Sequence, residues 1–353
     1  MIKTAIYPIQ PRAIDNGLIM EAARILDRGG LVVFPTETVY GIGANLLHKE
    51  AMERLNKLKS REQAKPFTIH ISDRNDVEKY AVRVIPRAYK LMSRFWPGPV
   101  TFVLPAPHEK TVGLRMPKND VALRFLAGVD FPVVAPSANR AGEPAPTDAR
   151  AALASLEGEV DLVLDAGPTE YKKESSVVDA TALPFKVLRE GAVPAGDILS
   201  VAGKKTVLFV CTGNSCRSVM AEYLLKKKLL DTGRQDVDVQ SAGTFAFLGM
   251  APTIETLRLV ESIGLKAYDH RARKATCELV RQADVVLTME RKHQEELMRQ
   301  YPSEAGRVHV LGEYAGLSAF EAEVQDPIGG TEEYYRRCFG QISQMIDKLG
   351  GLI

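Results

Sequence analysis

The chain is poor in the features that mark a specialised environment. Only four cysteines occur in 353 residues, at positions 211, 216, 277 and 338. That is too few for a disulfide scaffold in a chain of this length. No stretch approaches the roughly 18 consecutive apolar residues of a membrane span. The opening MIKTAIYPIQPRAIDNG has no apolar core of the kind a secretory signal needs. Neither sign of charge dominates: 46 Lys and Arg against 44 Asp and Glu leave a net charge of +2. A dedicated duplex-binding protein carries a much larger basic excess. There is no Walker-type lysine loop, dinucleotide glycine signature, internal repeat or low-complexity tract. These absences lead to the expectation of a cytoplasmic protein with reduced thiols and no membrane partner.

At roughly 150 residues per domain, the length suggests two domains. Hydrophobic content of 45% with 25% charged residues is ordinary for a globular chain. Residues 1–200 hold 26 Lys and Arg against 24 acids, and the remainder holds 20 of each. One segment, 49–65, is locally basic.

Periodicity divides the chain in the same place. Leu18, Ala22 and Ile25 recur at helical spacing before Gly29–Gly30, which predicts a helix over 16–30. KEAMERLNKLKS and RAYKLMSRFW read as further helices. LVVFPT, FTIHI, VTFVLPA, VGLRMP, FPVVAPS, DLVLDAG and SSVVDAT read as strands, so the first part is an α/β domain over 1–200. VPAGDILSVAGKK, residues 193–205, has Pro, Gly and Ser with little periodicity and reads as a linker. From 206 to 353 strands and helices alternate regularly, with RVHVLGEY as the last predicted strand. That pattern predicts a doubly wound parallel sheet with helices on both faces.

The second part opens on VLFVCTGNSCRS, residues 207–218. Cys211 falls at the carboxyl edge of a predicted strand, where ligands bind in such sheets. The small residues Thr212, Gly213, Asn214 and Ser215 allow successive backbone N–H groups to converge as an anion nest. A helix start after Cys216 adds partial positive charge, and the Arg217 guanidinium matches phosphate oxygens. This field favours a thiolate at Cys211, hence nucleophilic attack on a phosphoryl group and a phosphocysteine intermediate. Asn214 is placed to orient the loop and Ser218 to donate to the thiolate. Asp326, in QDPIGG, is a candidate acid for the leaving group and base for water. Cys216 reads either as a packing thiol or as the partner of a reversible disulfide with Cys211. Cys277 and Cys338 lie on predicted helices and read as core.

With MAE, SAGT, HRAR, ADVVLTM, the YP at 301–302 and DP following in order, residues 206–353 resemble the low-molecular-weight protein phosphatase family. The resemblance implies Cys211 as nucleophile, Arg217 as phosphate ligand, Asp326 as general acid and no cofactor. Members acting on phosphotyrosine often carry aromatics after DP; here Ile328, Gly329 and Gly330 follow. Together with Ser215, this resembles the branch acting on phosphoarginine in proteins, with phosphotyrosine as the second choice. The loop also resembles thioredoxin-coupled arsenate reductases. Those need further cysteines after the strand equivalent to ADVVLTM, where Met289 and Glu290 stand.

The first part has no such nucleophile. It has hydroxyls and cations at loop-like positions. Lys59, Arg61 and Lys65 read as a polyphosphate clamp. Ser137 and Asn139 flank a turn after a predicted strand, as neutral donors for a nucleotide. Thr36, His70 and Arg115 suit a small amino acid, with Arg115 facing its carboxylate. Residues alone leave this as a nucleotide or anion site.

The ordered set PTETVYGIGA, KSREQAKPFTIHI, VGLRMP, APSANRAGEPAPT, ESSVVDA and VLREGAV closely resembles the threonylcarbamoyl-AMP synthase family, with its YrdC-like fold of a twisted open sheet. The resemblance implies that L-threonine, bicarbonate and ATP give threonylcarbamoyl-adenylate and pyrophosphate. That product serves N6-threonylcarbamoylation of adenosine 37 in tRNA, through a partner transferase. Lys59, Arg61, Lys65, Thr111, Ser137, Asn139 and Arg189 would contact ATP, with Mg²⁺ on its phosphates. Thr36, His70, Arg115 and Ser175 would contact threonine. The alternative is an RNA- or nucleotide-binding module that has kept the fold and lost catalysis. The expectation for the whole chain is a bifunctional enzyme.

Overall fold

In the computed structural model, residues 3–60, 67–351 and 353 are described. The chain divides into two compact units, one of residues 1–85 and 91–200, the other of 86–90 and 201–353. Among the described residues, no helix is long and apolar enough to cross a membrane.

The first unit is built on a ten-stranded mixed sheet. Its strands are β1 (Ala5–Pro8), β2 (Val32–Phe34), β3 (Gly41–Asn45), β4 (Ile69–His70), β5 (Val100–Pro105), β6 (Thr111–Arg115), β7 (Val133–Val134), β8 (Leu162–Asp165), β9 (Ser176–Asp179) and β10 (Lys186–Arg189). They lie in the order β1-β8-β2-β3-β7-β4-β6-β5-β9-β10. The predicted α/β open sheet is therefore present. β2 is buried at every residue, which explains why it reads as a continuous apolar run; β3, equally buried, is not among the predicted strands. The helix Asn16–Asp27 covers the sheet with Ile19, Ala22, Ala23 and Leu26. Asp15 caps it, accepting from Gly17 N. Phe34, Phe125, Leu162 and Leu164 pack in the same core. Strands β4 and β6 pair in parallel with His70 opposite Arg115, and this register sets two candidate substrate residues side by side.

The second unit carries four parallel strands, β11 (Lys205–Cys211), β12 (Val237–Gly243), β13 (Val285–Thr288) and β14 (Val308–Val310), in the order β12-β11-β13-β14. β11 is central, and six of its seven residues are buried, which accounts for the run TVLFVC. Helices Arg217–Asp231 and Glu332–Lys348 pack with it around Phe209, Met220, Leu225 and Ile342. Leu208, Val210, Val286 and Leu297 form a separate core. This is the predicted doubly wound four-stranded sheet.

Two local expectations change. Residues 195–202 of the expected linker form a helix in which Ile198 is fully buried, so apolar contact orders it. In RVHVLGEY only Val308–Val310 is strand, and Leu311–Tyr314 turns into a helix. Gly312 lets the Ala322 backbone pack against this turn: a Cβ there would lie 2.4 Å from it.

Candidate active sites

In the second unit, Cys211 is the last residue of β11 and is 2% exposed. The following loop returns over it. Asn214 N donates to Cys211 Sγ at 3.3 Å, and Ser218 Oγ lies 3.0 Å from the same sulfur. This return needs a left-handed residue, and Asn214 has φ of 53°. Asparagine tolerates that region better than most residues. Its side chain explains the rest of the choice. Asn214 Nδ2 donates to Ser218 Oγ at 3.1 Å and Ser241 Oγ at 2.8 Å, while its Oδ1 accepts from Arg273 N at 3.0 Å. Ser241 in turn donates to Glu222. His270 Nε2 lies 3.1 Å from the Asn214 carbonyl, and burial pulls its pKa down. The loop is thus tied to β12, the HRAR segment and the helix Arg217–Asp231.

Arg217 begins that helix and is 1% exposed. Its Nη1 donates to Glu290 and to the Val324 carbonyl at 2.9 Å. Its Nη2 donates to Asp326 Oδ2 at 2.5 Å and Thr212 Oγ1 at 3.2 Å. Burial alone would lower the guanidinium pKa, but Cys211, Glu290 and Asp326 more than offset this and raise it. Burial likewise opposes ionisation of Glu290, and hydrogen bonds from Lys292 and Arg217 reverse the sign. Thr212 Oγ1 also lies 2.8 Å from His293 Nε2. Burial pushes the His293 pKa down to about 4, so its ring is neutral at pH 7. The structure therefore joins Cys211, Thr212, Asn214, Ser218, Arg217 and Asp326 in one network, with Gly213 in the loop between them. Cys216 is buried against Ser215, Thr253 and Tyr335 at 3.6–3.7 Å. All four cysteines are free thiols.

In the first unit, a polar cavity of about 370 Å³ is lined by Thr36, Lys59, His70, Arg115, Ser137, Ser175 and Arg189, with Tyr40, Thr68, Thr101 and Glu174 among the others. Seven of the predicted residues thus share one wall system. Lys59 Nζ donates to the carbonyls of Ser137 and Asn139 at 3.0 and 2.8 Å, and to Asn139 Oδ1 at 3.0 Å. Asn139 holds the lysine and does not itself line the cavity. Arg189 Nε donates to the Ser175 carbonyl at 3.1 Å and Nη1 to Glu174 at 2.9 Å. Thr36 closes its own turn, donating to the Val39 carbonyl at 2.6 Å and accepting from Thr38 N and Val39 N. Burial and then the Arg115 charge push the His70 pKa down to about 3, so it too is neutral at pH 7.

Three predicted residues stand apart. Thr111 lines a neighbouring, more apolar cavity of about 540 Å³ with Met52, Tyr80 and Val112. Arg61 and Lys65 lie outside the described residues. Other residues were not singled out as site residues and belong to the networks: Glu37 and Thr38 on Arg115, Thr101 on Ser175, and Glu290, His293, Glu222 and Ser241 around the cysteine loop. Glu37 and Thr38 sit inside PTETVYG, so their neighbours in sequence were the available signal.

Comparison with known proteins fits this division. Residues 24–191 match the Sua5/YciO/YrdC family model, described under telomere recombination. Residues 206–351 match the low molecular weight phosphotyrosine protein phosphatase model. A threonylcarbamoyl-AMP synthase of Pyrococcus abyssi is 38% identical over 210 residues, covering 57% of this chain and 62% of its own length. The chain thus spans somewhat less than two thirds of that relative. A Mycobacterium tuberculosis relative is 36% identical over 194 residues, 52% of this chain and 89% of its own. The crystal structure of P. abyssi Sua5 complexed with L-threonine superposes with a TM-score of 0.54 at 26% identity, covering 86% of this chain and 99% of that one. The chain belongs to the Sua5/YciO/YrdC family, and it joins to that unit a second one of the low-molecular-weight phosphotyrosine protein phosphatase family.

Proposed function

We propose that the chain is a bifunctional enzyme. Its first unit makes threonylcarbamoyl-adenylate from L-threonine, bicarbonate and ATP. Its second removes phosphoryl groups from proteins through a phosphocysteine. For the first unit, the supporting observation is the gathering of Lys59, Ser137, Arg189, Thr36, His70, Arg115 and Ser175 around one cavity. Arg115 is the carboxylate partner for threonine, and the bound threonine of the P. abyssi relative supports a threonine site. Lys59 and Arg189 face the phosphates. The threonine amine takes up CO₂ or bicarbonate, and the carbamate oxygen attacks the α-phosphorus, releasing pyrophosphate. Positioning and charge neutralisation carry such a reaction, and no covalent nucleophile is required. Mg²⁺ travels with the triphosphate in this reading. Among the described residues, no group of three His, Cys, Asp or Glu side chains is gathered to hold it. The adenylate then passes to a tRNA-modifying transferase. Pyrophosphate release that requires both threonine and bicarbonate, and is lost in Arg115→Ala, tests this. ATP binding without any threonine-dependent pyrophosphate release would return the unit to a nucleotide-binding module.

In the second unit, Cys211 attacks phosphorus while Asp326 protonates the leaving atom. Water activated by Asp326 then cleaves the S–P bond. Asn214 N and Ser218 Oγ, both within 3.3 Å of the sulfur, stabilise the thiolate as it departs. A phosphoarginine substrate is favoured over phosphotyrosine by Ser215 and by Ile328–Gly329–Gly330, which offer no aromatic platform. Phosphate release from matched phosphoarginine and phosphotyrosine peptides, with Cys211→Ser as blank, decides between them. Faster release from the tyrosine peptide would overturn the arginine preference.

A further inference from the structure

The segment 323–326 carries Asp326 and has no ladder partner of its own. It is held from three sides, one of them the backbone bond from Val324 N to the Met289 carbonyl at 2.8 Å, just past β13. Val324 O and Asp326 Oδ2 accept from Arg217, at 2.9 and 2.5 Å. Glu323 and Gln325 go to the helix Glu332–Lys348. Gln341 Nε2 donates to Glu323 O at 3.1 Å, Cys338 Sγ lies 4.0 Å from Gln325 O, and Tyr334 Oη donates to Gln325 Oε1 at 2.9 Å. Tyr334, Cys338 and Gln341 are spaced i, i+4, i+7, so they form one stripe on that helix. The Tyr334 ring also backs the turn after Asp326. A Cβ on Gly330 would stand 2.8 Å from Tyr334 Cδ1 and 3.0 Å from Pro327 O.

We infer that the stripe Tyr334–Cys338–Gln341 is a splint that sets the position of Asp326, with Tyr334 as its main positioning residue. The inference rests on the reading of Asp326 as general acid. Arg217 alone does not fix the acid, because the same guanidinium serves Glu290 and Thr212 and is the ligand for an incoming phosphoryl group. The helix supplies contacts that do not depend on what Arg217 is binding. Cys338 acts here through packing: burial pushes its pKa up to about 12, so it stays a thiol.

A misplaced acid has a signature that simple loss of stability lacks. Protonating the leaving oxygen matters for a poor leaving group and hardly for a good one. The test uses the full chain and kcat/KM for phenyl phosphate and 2,4-dinitrophenyl phosphate. Asp326→Asn is the reference and should lose roughly 100-fold on the phenyl ester with little loss on the dinitrophenyl ester. Tyr334→Phe and, separately, Gly330→Ala should each lose about tenfold on the phenyl ester and less than about twofold on the other. Equal losses by Asp326→Asn on both esters would overturn the general-acid reading itself. A discriminating Asp326→Asn beside Tyr334→Phe and Gly330→Ala variants that do not discriminate would overturn the splint alone.

Discussion

Arg115 and Glu37 form an ion pair almost wholly out of water, with Nη2 2.9 Å from Oε1 and side-chain exposures of 6% and 1%. Thr38 Oγ1 accepts from the same Nη2 at 2.7 Å. Arg115 lines the cavity, whereas Glu37 and Thr38 do not. Removing the carboxylate leaves a buried cation without compensation, which typically costs about 3–5 kcal/mol. Glu37→Ala should therefore destabilise the first unit by about 3 kcal/mol, or roughly 10 °C in Tm. Glu37→Gln keeps an acceptor and should cost less. Thermal melts of the two variants check this; equal melting of Glu37→Ala and the parent chain would show that the pair contributes nothing net.

A pH dependence follows from His293. Its pKa is pushed down to about 4 from an ordinary 6.5, first by burial and then by Arg217. The unfolded chain therefore takes up the proton at higher pH than the folded one. Stability from this residue is complete above pH 6.5 and is lost as pH falls towards 4. Between pH 7 and 4.5 the loss should be about 2 kcal/mol. His293→Asn should flatten the slope over that window without changing it above pH 7. Urea melts at the two pH values measure it, and an unchanged slope in the variant would assign the acid loss to other groups.

The parts of the fold that could be read from sequence were those with a strong period or a buried run. β11 reads as a strand because six of its seven residues are buried, and the helix Asn16–Asp27 because its apolar stripe is regular. Strand β10 was not visible, since its burial is slight and alternates poorly, and β1 offers only four half-covered residues. The helices Asp120–Ala127 and Ala149–Leu156 span only about two turns each, too short for periodicity to emerge. Cys211, Arg217 and Asn214 were legible because close spacing fixes their chemistry. Glu290 was not, because a carboxylate acting on a distant arginine leaves no local pattern, and Glu37 had only its place inside PTETVYG as a signal.

Around the cysteine loop, Phe245, Phe247 and Leu248 are 76–79% exposed, and Met250 and Ile254 are also exposed. Phe245 N donates to the Thr212 carbonyl at 2.9 Å, so this ridge begins directly at the loop. Contiguous exposed apolar surface beside a site marks contact with a large partner. Replacing Phe247 and Leu248 by Ser should raise KM for phosphoprotein substrates about tenfold, the effect of roughly 1.4 kcal/mol of lost apolar contact. The same double variant should leave kcat/KM for small aryl phosphates within about twofold. Equal effects on both substrate classes would remove the ridge from substrate recognition.

Gly243 sets how closely β12 approaches the cysteine loop. A Cβ there would lie 2.4 Å from the Thr212 carbonyl oxygen, 2.9 Å from Asn214 N and 3.1 Å from Gly213 C. All three are backbone atoms, so no side chain can rotate away to make room. Gly243→Ala must displace the loop, and the displacement falls on Asn214 N, which donates to Cys211 Sγ. Geometry errors of about 1 Å at a reacting group cost roughly 100-fold. Gly243→Ala should therefore lower kcat/KM for every phosphate ester about 100-fold, without the leaving-group dependence expected for Asp326 variants. Threonine-dependent pyrophosphate release, carried by the other unit, should be unchanged. Measuring both activities on one preparation separates a displaced loop from a misfolded chain. Loss of both would mean that the added methyl disrupts folding, and loss of neither that the loop can relax around it.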